Sequence, residues 1–230
     1  MNERKEFRGV RFGLRTLMIL MAVVAIGIST FSREKRRKQV IHDFSAVNFA
    51  GVKYSNDPSL RKLAKRVLGK LISQDVESLT LNDAHLVDAD IEGIEVLSEV
   101  ESLNLFGNSI TDAGLRRIRA LTNLKELYLG GNYARGITDE GLLSLTRLRK
   151  VKKLELRTTG IRGPGLVALT KMPDLKWLSI WKSHVDDSGL EHLKKLTGLK
   201  TLIVGRTNLS TEAIEELRKA LPNCEVIDDV

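Results

Sequence analysis

The stretch VESLNLFGNSITDAGL, residues 100–115, contains Leu-x-Leu, an aliphatic residue five positions further on, a short polar turn and then Gly-Leu. The same pattern recurs along the chain at spacings of 24, 24, 27, 24 and 24 residues, and its first leucines are Leu79, Leu103, Leu127, Leu154, Leu178 and Leu202. A fixed period in this range is typical of a solenoid, whose units bury their apolar faces by stacking on one another. The pattern predicts a domain of about six repeats over residues 76–230.

Each repeat predicts a strand followed by a helix. The Leu-x-Leu alternation is typical of a short strand whose two leucines point into the core. The polar turn then supplies residues that cap helices: Thr111-Asp112, Thr138-Asp139, Asp186-Asp187 and Ser210-Thr211. We therefore expect an α/β solenoid with a curved parallel sheet inside and helices outside. Residues 221–227 resemble the start of a seventh strand.

These repeats resemble the leucine-rich repeat family, and specifically the strand-plus-full-helix type of ribonuclease-inhibitor-like repeats. In that family an Asn shortly beyond the strand satisfies backbone groups of neighbouring turns, and here Asn108 and Asn132 hold that place. The other four repeats have Ala84, Thr159, Ser183 and Thr207. The resemblance implies that the Thr and Ser hydroxyls take over the hydrogen bonds and that the first repeat is the least regular.

The net charge of +8 is concentrated at the N-terminus. Residues 1–38 hold ten Lys/Arg against three acidic residues, whereas the other 192 residues hold 27 Lys/Arg and 26 Asp/Glu. The repeat domain is therefore close to neutral. This distribution argues against a nucleic-acid-binding body.

The basic residues flank an uncharged stretch from Leu17 to Phe31. We expect a single transmembrane helix over residues 14–31, preceded by a basic segment over residues 1–13. A cleaved signal peptide and a buried core helix are the alternatives. Each flank carries five Lys/Arg, so the positive-inside rule leaves the side of the repeat domain undetermined.

Residues 32–75 carry no repeat of their own. Their apolar spacing predicts a juxtamembrane helix over residues 33–50, a short strand at 52–54 and a second helix over residues 60–71. Such a helical N-terminal cap would cover the open edge of the first repeat. The order of anchor, cap and repeats also resembles a group of bacterial membrane-anchored leucine-rich-repeat proteins.

No sequence motif for catalysis, phosphate binding or a cofactor is present. We therefore expect no enzyme activity, no cofactor and no metal site. His184 with Asp186 and Asp187 is the one cluster that resembles a metal site, and helix capping accounts for an Asp in that turn. Cys224 occupies a small apolar position of the repeat, which argues against a nucleophile.

The residues that alternate with the leucines predict a binding surface on the concave face of the sheet. Large side chains collect there: Trp177, Trp181, Arg157, Tyr128 and Phe106. Tryptophan, tyrosine and arginine are enriched at interface hot spots. Gly130 and Gly205 would leave dips beside them. An alternative is that Arg157 only stacks on Trp181 and stabilises the fold.

The sequence as a whole predicts a single-pass membrane protein whose repeats form a non-catalytic interaction module. We expect the concave face to bind a protein or peptide, and neither nucleic acid nor a small-molecule substrate. Six strands give a face of roughly 380 Å², below the roughly 800 Å² per partner of a standard interface, which favours a peptide-sized partner. The alternative is a structural or self-associating envelope component without a separate ligand.

Overall fold

The computed structural model describes residues 40–41, 77–83, 85–131 and 136–229. These residues belong to one compact unit, formed by residues 38–47 and 75–230. The predicted basic segment and transmembrane helix lie outside the described residues, as does nearly all of the predicted capping block. Within the described part of the chain, no helix is long and apolar enough to cross a membrane.

The described strands form one parallel sheet in which every strand pairs with the next along the chain. The strands are β1 (Val40–Ile41), β2 (Ser78–Thr80), β3 (Ser102–Asn104), β4 (Glu126–Tyr128), β5 (Lys153–Glu155), β6 (Trp177–Ser179), β7 (Thr201–Ile203) and β8 (Glu225–Ile227). The first leucine of each predicted pair sits opposite that of the next repeat, from Leu79 to Leu202. The predicted register is therefore confirmed, and β8 is the expected seventh strand.

One element differs from the prediction. The sequence predicts a helix over residues 33–50, but Val40–Ile41 forms strand β1, which pairs in parallel with β2. The physical reason is that an unpaired edge of a parallel sheet offers a row of backbone hydrogen-bonding groups, and two adjacent β-branched residues suit an extended backbone there. The spacing of apolar residues that predicts a helix gives no indication of a pairing with a distant strand.

The core lies directly behind the strands. Five of the strand leucines are fully buried at 0% exposure, namely Leu103, Leu127, Leu154, Leu178 and Leu202. The aliphatic residues of the following turns, such as Ile110 and Ile137, are buried against them. Leucines of the helical segments, including Leu115 and Leu142, close the core from the other side. The sheet face that points away from these helices is called the concave face below.

The helical side is less regular than the expected full helices. It contains α1 (Asp112–Ile118), α2 (Asp139–Leu143), α3 (Leu190–Leu193) and α4 (Thr211–Ala220), together with 3₁₀ segments at Ile94–Val96, Ser144–Arg147, Pro164–Lys171 and Asp187–Gly189. Strands stack about 4.8 Å apart, whereas α-helices with their side chains are about 10 Å wide. The tighter 3₁₀ helix reduces that mismatch. The ten-residue α4 follows the last full repeat, where no further described helix packs on its far side.

Four of the turns before the helical segments carry an Asp whose side chain connects its repeat to the next, whereas the turn of the fourth repeat has Gly163 at that place. The Asp112 carboxylate accepts hydrogen bonds from the backbone N–H and the hydroxyl of Thr138, at 2.8 and 2.7 Å. Asp88 accepts the equivalent pair from Thr111. Asp139 accepts three backbone N–H groups of the following repeat, and Asp187 accepts one. These carboxylates join successive repeats at the turns that lead from the strands into the helical segments.

Helix capping by the first residue of the predicted pair is confirmed at three of the four predicted turns. Thr111, Asp186 and Ser210 each accept a hydrogen bond from a backbone N–H of the first helical turn. Thr138 makes no such bond, although its hydroxyl donates to Asp112 as the Thr111 hydroxyl does to Asp88.

Asn108, at the Asn position beyond the strand, bonds backbone groups of neighbouring turns as the resemblance implies. Its Oδ1 accepts the Leu86 N–H at 2.9 Å, and its Nδ2 donates to the carbonyls of Leu81 and Leu105, each at 2.8 Å. The hydroxyls of Thr159 and Thr207 each donate to a carbonyl three residues earlier.

The prediction for this position is wrong at Ser183, whose hydroxyl oxygen is buried and has no partner among the described residues.

The first repeat differs from the others in backbone conformation. Asp83 and His85 both have positive φ there, whereas each later repeat has one such residue at the end of its strand. Ala84 and Asn132 lie outside the described residues.

Candidate functional site

The concave face holds a row of charged and aromatic side chains whose contacts change from repeat to repeat. Trp177 and Trp181 are half-buried, as are Tyr128 and Phe106, although the leucines between them are fully buried. Because the strand pleat alternates, these side chains stand on the face opposite the core. All five residues of the predicted patch, including the exposed Arg157, lie on this face.

At the centre of the face a lysine lies between two aromatic rings. The ammonium of Lys153 is 4.7 Å from the ring centroid of Trp177 and 5.3 Å from that of Tyr128. Strands β4, β5 and β6 are neighbours, so Lys153 bridges the rings on either side of its own strand. Each such contact is attractive because the face of an aromatic ring is electron-rich.

Glu126 also belongs to this central group and contacts Tyr128. Its carboxylate accepts hydrogen bonds from the Tyr128 hydroxyl and the Ser102 hydroxyl, both at 3.2 Å. Burial, and secondarily the Glu126 charge, raises the pKa of Tyr128 above its ordinary value of 10.0. Tyr128 is therefore a neutral hydrogen-bond donor at physiological pH.

A second group lies where the strands end. The guanidinium carbon of Arg157 is 5.0 Å from the centroid of Phe106, two strands away. Gly130 lies between them in the same row, and a Cβ there would stand 2.7 Å from the Cγ of Arg157. The dip that the sequence predicts at Gly130 is therefore filled by the Arg157 side chain.

The charge of Arg157 is balanced within this group. Its guanidinium is 3.1 Å from the carboxylate of Glu155, and its backbone N–H donates to the same carboxylate at 2.9 Å. The Glu155 side chain is only 3% exposed. Arg157 thus joins a buried acid to an aromatic ring.

The third group surrounds Trp181. The guanidinium carbon of Arg206 is 5.2 Å from the Trp181 ring centroid, and the ammonium of Lys182 is 5.8 Å from it. The alternative drawn from the sequence stacks Arg157 on Trp181. Arg157 instead lies over Phe106, and the guanidinium over Trp181 belongs to Arg206.

Lys182 and Arg206 share an unusual backbone position. The residue that ends each strand turn is left-handed in all six repeats, with φ between 51 and 72°: Asp83, Gly107, Gly131, Thr158, Lys182 and Arg206. In the first five of these repeats its N–H donates to a carbonyl of the next repeat, as Lys182 does to Gly205 at 2.9 Å. A left-handed conformation costs a non-glycine residue about 1–2 kcal/mol. Two repeats avoid that cost with Gly107 and Gly131.

The structure therefore divides the predicted patch into three groups, with Trp177 and Tyr128 around Lys153, Phe106 against Arg157, and Trp181 under two other cations. Sequence reasoning missed Lys153, Lys182 and Arg206 as members. The sequence does contain a sign of the last two, because Lys182 and Arg206 occupy the repeat position that holds Gly107 and Gly131 in two other repeats.

The sequence raises two chemical roles for the described residues, a metal site and a cysteine nucleophile. No group of three His, Cys, Asp or Glu in the described part of the chain is close enough to hold a metal ion. Burial, and secondarily the nearby Glu225 charge, raises the pKa of the Cys224 thiol above its ordinary value. A higher pKa lowers the fraction of the reactive thiolate at neutral pH.

Comparison with known proteins agrees with this architecture. A family profile described as a leucine-rich repeat matches residues 99–118. An internalin (inlF) from Listeria monocytogenes is 23% identical with a TM-score of 0.51, over 69% of this chain and 48% of the internalin. The plant peptide hormone receptor RGFR1, in complex with RGF2, is 18% identical with a TM-score of 0.50, over 70% of this chain and 25% of the receptor. None of the curated proteins compared with this chain matches it.

The chain thus spans about half or less of the length of these two relatives. At these identities the likeness concerns the fold alone. That likeness agrees with the sequential parallel sheet, the stacked leucines and the repeat profile. The described residues between 77 and 229 therefore have the fold of a leucine-rich-repeat solenoid.

Proposed function

We propose that the concave face binds a peptide or a peptide-sized segment of another protein. Leucine-rich repeats are typically interaction modules, and stacked repeats create extended surfaces for that purpose. The observation that carries the proposal is the set of half-buried aromatic rings beside fully buried leucines. These rings offer rigid apolar surface to a partner at a small loss of side-chain entropy.

The arrangement of the charges supports recognition rather than catalysis. Cations lie over the rings of Tyr128, Trp177, Phe106 and Trp181. Contacts of this kind hold the rings and the long cationic side chains in place before a partner arrives. Preorganised side chains lose less entropy on binding. The proposed module is non-catalytic and takes no cofactor.

The test is capture of partners from a membrane extract by the purified full chain and by a Trp177→Ala/Trp181→Ala variant. We expect the variant to capture specific partners at least about tenfold less well, since truncating a hot-spot residue costs about 2 kcal/mol or more. Val167→Ala is the matched control, because Val167 is 38% exposed on the helical side. Undiminished capture by a folded double variant would contradict the proposal.

We also propose that residues 14–31 anchor the protein as a single membrane span. The support is the uncharged stretch between two basic flanks. An epitope at the C-terminus, probed with protease in intact cells and in lysed cells, determines the side on which the repeats lie. Recovery of the full-length chain in the soluble fraction after alkaline extraction would contradict the anchor.

A further inference from the structure

The C-terminal end of the concave face carries two cations that have no acidic partner among the described residues. The described ion pairs use Lys125, Arg157, Lys194 and Arg218. Neither Lys182 nor Arg206 has a carboxylate within 4.0 Å among the described residues. Both side chains are exposed and lie over one ring, that of Trp181.

The backbone gives a second, independent observation. Lys182 and Arg206 occupy the left-handed position that the chain fills with Gly107 and Gly131 in two earlier repeats. Glycine adopts this conformation without strain, so a long cationic side chain is the less stable choice. Strained residues that persist in a fold tend to cluster where a ligand is held. Two such residues, in adjacent repeats, direct their charges toward the same ring.

The geometry leaves the donors of both cations available. A cation–ring contact uses no conventional acceptor, so the N–H groups of Arg206 and Lys182 can still donate to an anion. A guanidinium offers a fork that matches the two oxygens of a carboxylate, and an ammonium adds a point charge beside it. Arg157 differs, because the buried Glu155 already neutralises it.

We propose that Trp181, Lys182 and Arg206 form a subsite for an acidic side chain, Asp or Glu, of the bound peptide. The proposal rests on the proposed function and specifies the partner chemistry at one end of the same face. The carboxylate lies between the two cations, and the neighbouring apolar part of the peptide packs on the Trp181 ring. The central group around Lys153 then accommodates the rest of the peptide.

The first experiment selects binders from a phage-displayed library of random dodecapeptides on the immobilised full chain. We expect the selected peptides to be enriched in Asp or Glu at one position beside an apolar residue. Selection on a Lys182→Gly/Arg206→Gly variant should lose that enrichment. A Trp177→Ala/Trp181→Ala variant gives the background.

The second experiment measures the affinity of the best selected peptide and the thermal stability of each variant. The double glycine variant should bind about tenfold more weakly and should lose most of the dependence of affinity on salt, because a charged contact is removed. Its Tm should rise by a few degrees, because two strained residues become glycine. Thr158→Gly is the matched control: it relaxes the same backbone position in another repeat and should raise Tm without changing affinity.

The outcomes separate the two proposals. Peptides that depend on the tryptophans but show no acidic preference would leave the binding face in place and overturn the acidic subsite. A glycine variant that binds equally well and unfolds at a lower temperature would also overturn the subsite, since the cations would then only stabilise the fold. No selection above the tryptophan-variant background would overturn both proposals.

Discussion

The turns that join the repeats and the concave face of the sheet differ in how they use the repeat. In four of the turns the same residue type makes the same kind of bond, and it is supplied by Asp88, Asp112, Asp139 and Asp187. On the face, the corresponding places hold Phe106, Gly130, Arg157, Trp181 and Gly205. The position that holds one repeat on the next keeps the same residue type in four repeats, while positions open to a partner vary from repeat to repeat.

The largest expected effect is the difference in stability between a variant of a core residue and a variant of its neighbour on the concave face. Leu154 is 0% exposed between Leu127 and Leu178, so Leu154→Ala should lower the free energy of unfolding by about 3–5 kcal/mol. Trp177→Ala removes a half-buried ring with one lysine contact and should cost about 1 kcal/mol. Urea unfolding of the two variants measures both values. Equal losses would mean that Trp177 belongs to the core.

The next prediction concerns the carboxylates that join the turns. Asp139 accepts the backbone N–H groups of Arg162, Gly163 and Gly165, at 3.0, 3.1 and 2.7 Å. Asp139→Ala leaves these donors without their partner and should lower the free energy of unfolding by about 2–3 kcal/mol. The adjacent, exposed Glu140 is the control, and Glu140→Ala should change stability by less than about 0.5 kcal/mol. Chemical denaturation distinguishes the two.

A smaller effect, a gain in stability, is expected from a substitution at Ser183, which occupies the Asn position beyond its strand. The buried hydroxyl of Ser183 lacks a partner among the described residues, so Ser183→Ala should raise the free energy of unfolding by about 0.5–1 kcal/mol. Thr159 is the matched comparison, since its hydroxyl donates to the Leu156 carbonyl at 2.7 Å. Thr159→Val should lower the free energy of unfolding by about 1 kcal/mol. A loss of stability in both variants would indicate that Ser183 is bonded in solution.

The smallest effect is a dependence on pH. Hydrogen bonds from the Ser188 side chain and backbone hold the pKa of Asp186 below its ordinary value of 3.8. A carboxyl whose folded-state pKa is lowered stabilises the fold above its unfolded pKa and loses that contribution as pH falls through the folded pKa. The stability advantage over Asp186→Asn should therefore be present at about pH 6 and shrink below about pH 4. An advantage that grows on acidification would contradict this assignment.

Much of the repeat domain follows from the sequence. The spacing of leucines predicts the strands and their register, because each buried pair must stack on the next. The predicted caps hold at Thr111, Asp186 and Ser210. The sequence predicts only a capping role for Asp112, Asp139 and Asp187, because a hydrogen bond between repeats has no signature within one repeat. Strand β1 was missed for a similar reason, since it depends on a sheet edge 38 residues further along the chain.

The binding face was predictable in part. Alternation along the strands places the two tryptophans, Tyr128, Phe106 and Arg157 on one surface, but it does not say which side chains touch. Arg157 reaches Phe106 only because Gly130 leaves the intervening place empty. That contact needs both the strand order and the reach of a long side chain.

The sequence by itself determined the repeat, its register and the division between core leucines and exposed side chains, because burial acts on every unit with the same period. Only the tertiary structure decided which cation lies over which ring and which carboxylate holds which turn. Those contacts join residues of different repeats, where long side chains can reach more than one neighbour. The left-handed position of Lys182 lies between the two cases: the period predicts the turn, but the left-handed backbone goes with a hydrogen bond from the Lys182 N–H to the Gly205 carbonyl of the next repeat.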